Sequence, residues 1–480
     1  MLRRVTEEGE LPILEDEYSL NNREIPPMWY MIESLDVLVD DLSGAFTRSS
    51  FRTACQFLVG WVMCLGKHTL GRTAHSAQPQ TAPAPAARHG LDGYYNFFER
   101  SAWTPSGRAY HLAVLVFTRL KLLGRITLLV DDTLAHKRGQ SVWGLGWWRE
   151  AVASTKKRVA TASGPNWVVL AVAYSPPFCT TPIFALPLLA RLHLPGQGQS
   201  SCPVLAKALL AEVLGWFPKH TFTLVGDGAY ACKELLLDLD ERVVFVGRMR
   251  GDACVYDPQV PQAPKSKRGR KARKGPKLPK PREAAARADR KGAAEGSWLG
   301  RTIEVAIYGE SRCLSVVSYE AVWPRVRGLH PVQIVVVRDP ESRMKDCYLF
   351  TTDLTGTVNW VVTQFAWRWA IEVLFRASKQ VMDIEAPKHW SQASVEKLAP
   401  WVWSMQSVIR VWYLTGGHTS PEALELREVM GDWDSEWSLR HMLQVLRRAI
   451  LNATINPNSA DQDQLTEMVE TLKNWVNLAA

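Results

Sequence analysis

An α/β layer structure is predicted from three features of the chain. Short apolar runs that end in acids or glycine lie between residues 126 and 249. Amphipathic helical stretches separate the later ones. Their order is three strands, helix, strand, helix, strand, the rhythm of a sheet covered by helices.

Each element has its own reason. Residues 1–112 read as an N-terminal helical region, because MWYMIESLDVLVDDL and SSFRTACQFLVGWVMCL carry apolar residues at helical spacing. The Ala/Pro stretch SAQPQTAPAPAA (76–87) interrupts them as a loop, and the helix AYHLAVLVFTRLKLLG follows. Residues 113–250 form the first part of the core. ITLLVDDT (126–133) is a buried strand closed by a turn, and NWVVLAVAY (166–174) and TPIFALPLL (181–189) are further strands. SCPVLAKALLAEVLGWF (201–217) is a helix with Pro203 in its first turn. TFTLVGD (221–227) is a strand, AYACKELLLDL a helix and RVVFVGRM (242–249) a strand.

Residues 251–355 leave that rhythm and are expected to form an inserted β subdomain, with the runs TIEVAIYG, CLSVVSYEAVW, PVQIVVVRD and CYLFTTDL as strands. A second core segment, 356–415, begins with one long helix over roughly 356–383, and residues 416–480 form a C-terminal helical region.

Composition narrows the function classes. Of 480 residues, 46% are hydrophobic and 22% charged, which excludes a disordered or fibrous chain and predicts two or three domains. No run approaches the ~18 apolar residues that cross a bilayer, so no membrane partner is expected. The opening MLRRVTEEGELPILEDE has acids where a signal peptide is apolar, so the expected location is cytoplasmic. Eight cysteines are scattered without zinc spacing and read as free thiols, and most of the twenty tryptophans read as core or interface anchors. No GxxxxGK[ST] loop occurs, which disfavours an ATPase. Between Lys265 and Lys291 there are 13 Lys and Arg against Glu283 and Asp289. That net +11, in a chain of net +9, leaves everything else at −2. This basic loop, 265–291, is expected to be mobile and to engage phosphates without reading sequence.

The chemistry lies in acids at strand ends. Asp131 and Asp132 close the first strand and Asp227 closes a later one; in an α/β sheet, functional groups gather at the carboxyl ends of strands. Taken singly, such an Asp more often makes a turn or a cap. On the long helix, Phe365, Arg368, Glu372 and Lys379 share one face of an otherwise apolar segment, where charges must pair or meet a ligand. The plain alternative is a buried Arg368–Glu372 pair with Lys379 at the rim. His136 is expected to be a solvated loop histidine, and Trp367 and Trp369 to be core residues.

The run Phe365-x2-Arg368-x3-Glu372-x6-Lys379 resembles the Tyr-x2-Arg-x3-Glu-x6-Lys signature of DDE-superfamily insertion-sequence transposases, departing in Phe for Tyr. Composition alone gives roughly 0.04 chance matches to this pattern. The layout is similar too: Asp131-Asp132-Thr133 with Lys137 and Gly139 after it, then VGDGAY holding Asp227, then a gap of 145 residues to Glu372. The resemblance implies an RNase H-like catalytic core, with Asp131, Asp227 and Glu372 as catalytic residues and ligands of two Mg²⁺ or Mn²⁺ ions. Whether Asp131 or Asp132 is the first ligand stays open, with motif position favouring Asp131. Arg368 and Lys379 would hold phosphates, Phe365 would pack or stack, Lys137, Arg138 and the N-terminal region 1–112 would contact DNA, and the protein would be nucleoid-associated. The implied activity is cut-and-paste transposition by a homodimer acting on terminal inverted repeats and target DNA. The alternatives are a non-catalytic DNA-binding regulator derived from such an enzyme, or an RNase H-like nuclease.

Overall fold

In the computed structural model the described residues are 31–77, 91–139, 141–150, 154–155, 158–179, 182–194, 196, 201–259, 273–295, 300–307, 310–430 and 437–454. Five helices come first: α1 (Glu33–Asp40), α2 (Arg48–Met63), α3 (Leu70–Ser76), α4 (Leu91–Glu99) and α5 (Pro105–Arg119). The sheet elements follow as β1 (Arg125–Leu134), β2 (Gly146–Arg149), β3 (Thr161–Gly164), β4 (Asn166–Tyr174), β5 (Phe184–His193), α6 (Cys202–Trp216), β6 (Thr221–Gly226), α7 (Lys233–Leu236) and β7 (Val243–Arg248). Then come α8 (Pro281–Glu295), β8 (Arg301–Ile307), β9 (Glu310–Val322), α9 (Pro324–Arg327), β10 (Pro331–Arg338) and β11 (Cys347–Thr351). The chain closes with α10 (Val358–Trp367), α11 (Trp369–Gln380), α12 (Gln392–Thr415), α13 (Pro421–Met430) and α14 (Leu439–Thr454).

The expected strand and helix order from 126 to 249 is present, with a small β2–β3 hairpin added between the first two strands. The sheet is mixed and nine-stranded, in the order β5-β4-β1-β6-β7-β11-β10-β9-β8. Strands β1, β6 and β7 run parallel, while β4 and β5 on one side and β11 to β8 on the other are antiparallel.

The strands expected within the insertion 251–355 are present as β8 to β11 and continue the core sheet: β11 pairs antiparallel with β7 (Phe350 opposite Gly247) and carries the same ladder outward to β8. The physical reason is that β7 would otherwise present a row of unpaired backbone groups. The basic loop is partly helical: Pro281 opens α8, whose PREAAARADRKGAAE is rich in helix formers, and Ala285 is buried. Within the same segment Lys274 lies 3.6 Å over the Tyr256 ring, whereas residues 265–272 lie outside the described residues. The single long helix is two, α10 and α11. At Arg368 the N–H bonds to the Phe365 carbonyl, and the Arg368 carbonyl accepts from Ile371; these i→i+3 bonds interrupt the α-helical ladder.

The flanking helices share the core with the sheet. Helix α12 is buried on all sides from Leu398 to Leu414, and it packs on β5 and α5. Arg447 of α14 donates to the Val62 and Cys64 carbonyls at the end of α2, tying the C-terminal helices to the N-terminal ones. Of the two tryptophans expected in the core, Trp367 is half-buried and Trp369 is exposed.

Continuity of the sheet makes a firm prediction. Excising residues 251–355 and closing the gap with a short linker should leave β7 as a bare edge, so the product should aggregate or unfold. Size exclusion and far-UV circular dichroism read the outcome, and a monomeric, cooperatively melting product would show that residues 301–351 form a separable body after all.

Candidate active site

Strands β1 and β6 pair in parallel with Val130 opposite Gly226, so Asp131 and Asp227 follow at the same carboxyl end of the sheet on neighbouring strands. The local sequence fixes both. Asp131 Oδ1 accepts the Asp132 N–H at 2.9 Å, and Asp227 Oδ1 accepts the Ala229 N–H at 2.8 Å, the turn that VGDGAY encodes.

Alternation along β1 separates the two adjacent acids. On one face Thr127 donates to Gln364 of α10 at 2.8 Å and Asp131 meets Arg368. On the other face Asp132 accepts from the Asn166 amide at 3.1 Å and from the Tyr230 hydroxyl at 3.3 Å. Burial holds the Tyr230 phenol well above its usual range, with Asp132 adding to the effect, so it stays a donor. Burial, with Asp132 next, pushes the Cys202 thiol up to about 12. The nearby Cys202–His193 contact at 3.5 Å is therefore no activated nucleophile.

Arg368 connects the strands to the helix. Its Nη1 is 3.3 Å from Asp131 Oδ2, and its Nη2 donates to Glu372 Oε1 at 2.6 Å, so the expected i, i+4 pair forms and extends to the sheet. Its Nε is buried without an acceptor. Burial alone would lower the guanidinium pKa, but Asp131, Glu372 and Asp227 outweigh it and raise it. The Asp131 carboxyl is raised to about 7, first by burial and then by the Asp227 charge; Arg368 opposes both.

The other expected residues are placed as follows. Phe365 is half-buried with the Arg368 guanidinium 5.7 Å from its ring centre. Lys379 reaches Glu385 at 3.8 Å. Lys137, expected on DNA, donates to the Glu385 and Pro387 carbonyls, and burial lowers its pKa to about 8. Arg138 is exposed. His136, expected to be merely solvated, lies 3.0 Å from Glu385 and 3.3 Å from Glu150. Glu385, Asn166 and Tyr230 are the site neighbours that sequence reading missed. Glu385 lies 248 residues from Lys137, and no local pattern encodes such a contact.

The donor set fits a hard divalent cation in part. Asp131 and Asp227 offer carboxylate oxygens at neighbouring strand ends, near enough that the Asp227 charge adds to burial in raising the Asp131 pKa. Among the described residues no three His, Cys, Asp or Glu side chains close on one point, and the Arg368 guanidinium lies between Asp131 and Glu372.

Residues 41–303 match the model of a family described as DDE superfamily endonuclease. The chain belongs to that family. The match covers Asp131 and Asp227 and ends before the helix that carries Glu372. No curated protein matches this DDE superfamily endonuclease. Among solved structures it is similar to a chain of the cryo-EM structure of the piggyBac transposase synaptic complex with hairpin DNA. The identity is 11%, the alignment covers 91% of this chain and 80% of that one, and the TM-score is 0.37. A likeness of that size says nothing about function.

The raised Asp131 pKa predicts how stability varies with pH. The folded chain keeps a proton up to about pH 7 that the unfolded carboxyl releases near its ordinary value of 3.8. Its contribution to stability is therefore complete below the unfolded pKa and is lost as pH rises through about 7. Melting temperatures taken across that window should fall by several degrees in the wild type and be flatter in Asp131→Asn. Parallel curves would remove Asp131 as the titrating group.

Proposed function

We propose that this DDE superfamily endonuclease is a cut-and-paste DNA transposase of an insertion sequence, built on an RNase H-like core. Asp131, Asp227 and Glu372 are its catalytic carboxylates. The observation that carries the reading is the placement of Asp131 and Asp227 at neighbouring parallel strand ends, with Glu372 joined to Asp131 through one guanidinium. The strand order of the first half, β5-β4-β1-β6-β7 with β4 and β5 antiparallel, supports the RNase H-like assignment.

Asp131, Asp227 and Glu372 would hold two Mg²⁺ or Mn²⁺ ions, which when bound supply Lewis acidity at the attacking and leaving oxygens of an in-line displacement at phosphorus. The chain's own groups do the rest. Asp131 gives up its proton when positive charge enters beside it. Arg368, released from Glu372, presents a planar fork that suits a phosphate, and Phe365 backs that fork with its ring. Arg138, exposed on the loop after β1, and Lys379 contact the backbone further out. Lys137 instead fixes the loop 385–387. The basic segment 265–291 adds non-specific DNA affinity with steep salt dependence. The working form is a homodimer on element ends and target DNA.

One observation favours a second reading. The Arg368–Glu372 ion pair at 2.6 Å is what a purely structural helix would also form, in a DNA-binding relative that no longer cuts. Glu372→Gln, Arg368→Met and the double variant separate the two, each assayed for melting temperature and for cleavage of a duplex bearing the inverted repeats. Under the catalytic reading Glu372→Gln loses cleavage with little loss of stability, because Asp131 still partners Arg368, and Arg368→Met restores nothing. Under the structural reading the wild type does not cut either, and Glu372→Gln again costs little stability, since Asp131 stays 3.3 Å from the guanidinium. A Glu372→Gln protein that is destabilised and still cuts overturns the assignment.

The same substrate tests the metal. Cleavage should require Mg²⁺ or Mn²⁺ and vanish in Asp227→Asn, while binding of the repeats persists in a gel-shift assay. Cleavage that survives excess chelator would sink the two-metal reading.

A further inference from the structure

A second site lies on the other side of α11. Between that helix, the start of β5, α12 and the start of α14 is an open cavity of about 410 Å³. Arg376, Arg410 and Arg440 line it together with Gln380 and the Ser438 side chain, and no Asp or Glu is among its described lining residues. Arg410 is 5% exposed. Its guanidinium donates to the Ala185 carbonyl at 3.1 Å and faces the Gln406 side-chain oxygen at 3.1 Å. Both partners are neutral dipoles. Burial pulls the Arg410 pKa down to about 9, and no carboxylate counters the fall.

The two other arginines stand at the mouth. Arg376 is one turn beyond Glu372 on α11, and Arg440 is in the first turn of α14; both are exposed. Ser438 Oγ accepts the His441 N–H at 3.2 Å, so α14 points its positive end into the same space. Register keeps this place apart from the carboxylates. Along β4, Ala173, which pairs with Ala185, is four residues beyond Val169, the residue opposite Asp131. The volume exceeds that of one tetrahedral anion, and Ile183, Val373 and Trp437 supply apolar walls beside the arginines. A group with a doubly or singly charged phosphate at one end and a flat or apolar body at the other matches that lining.

We propose that this cavity is a phosphate-binding site in which Arg376, Arg410 and Arg440 hold a backbone phosphate of DNA. Only the DNA origin of the phosphate rests on the function proposed above, and a free phosphate would use the same three guanidinium groups.

The full-length protein is melted in inorganic phosphate and in chloride at equal ionic strength, and Trp437 in the cavity wall gives a fluorescence readout of the same titration. Wild type should gain several degrees from phosphate over chloride. Arg376→Gln/Arg440→Gln, two exposed changes, should lose that gain and keep its melting temperature in chloride. Arg410→Met should lose it too, and if that variant fails to fold the double variant still decides. Duplex binding across a salt series identifies the source. A drop in affinity with a slope flatter by about one or two phosphates in the double variant assigns the site to DNA. Loss of the phosphate gain with unchanged duplex binding keeps the site and assigns it to free phosphate. No gain over chloride in the wild type, as when the chain's own acids at 432, 434 and 436 satisfied the arginines, overturns the proposal. None of these readouts needs DNA cleavage, so the site stands or falls apart from the catalytic reading.

Discussion

Everything at the carboxyl end of the sheet depends on the parallel pairing of β1 with β6. Arg125 to Val130 align with Thr221 to Gly226, and that register alone puts Asp131 and Asp227 side by side although 96 positions of sequence separate them. Gly226 makes the alignment possible. A Cβ there would lie 3.0 Å from the Tyr230 Cβ and 3.2 Å from Val130 Cγ1, so a larger residue would force those neighbours to give way slightly. The Asp227 turn in turn sets Tyr230 beneath Asp132, which locks the neighbouring acid on the opposite face.

Electrostatics then organises what geometry has assembled. Two carboxylates at one point, one of them largely buried, repel, and the chain answers with a half-buried guanidinium that serves Asp131 and Glu372 together. Arg368 can do so because the helix ladder is interrupted at that residue. Helix α10 is fastened to β1 by Thr127–Gln364, and α11 is fastened to α12 by Ser378–Gln406, so the two halves hold their own positions on either side of it.

Much of this was legible in the sequence, for reasons that particular residues show. The strand ITLLVDDT is a continuous apolar run because β1 is covered on both faces, and TFTLVGD stops at a glycine and an acid because β6 ends in a turn. The spacing of Arg368 and Glu372 anticipated their ion pair. Other features carry no local mark. The apolar run CYLFT shows that β11 is a strand but not that β7 is its partner. The apolar rhythm of WVVTQFAWRWAIEVLF runs through Arg368 unbroken, and nothing in it foretold two helices. Lys137 looked like a DNA contact because its carbonyl partners lie about 250 residues away.

The position of β11 has a consequence for the newly made chain. During synthesis β7 emerges at residue 248, but its outer partner is not complete until residue 351. At about 5–20 residues per second, that edge stays open for roughly 5–20 s on the ribosome. An unpaired, apolar parallel strand is a template for joining other chains. The segment that follows β7 out of the exit tunnel is the one with net +11, and like charge on neighbouring nascent chains repels.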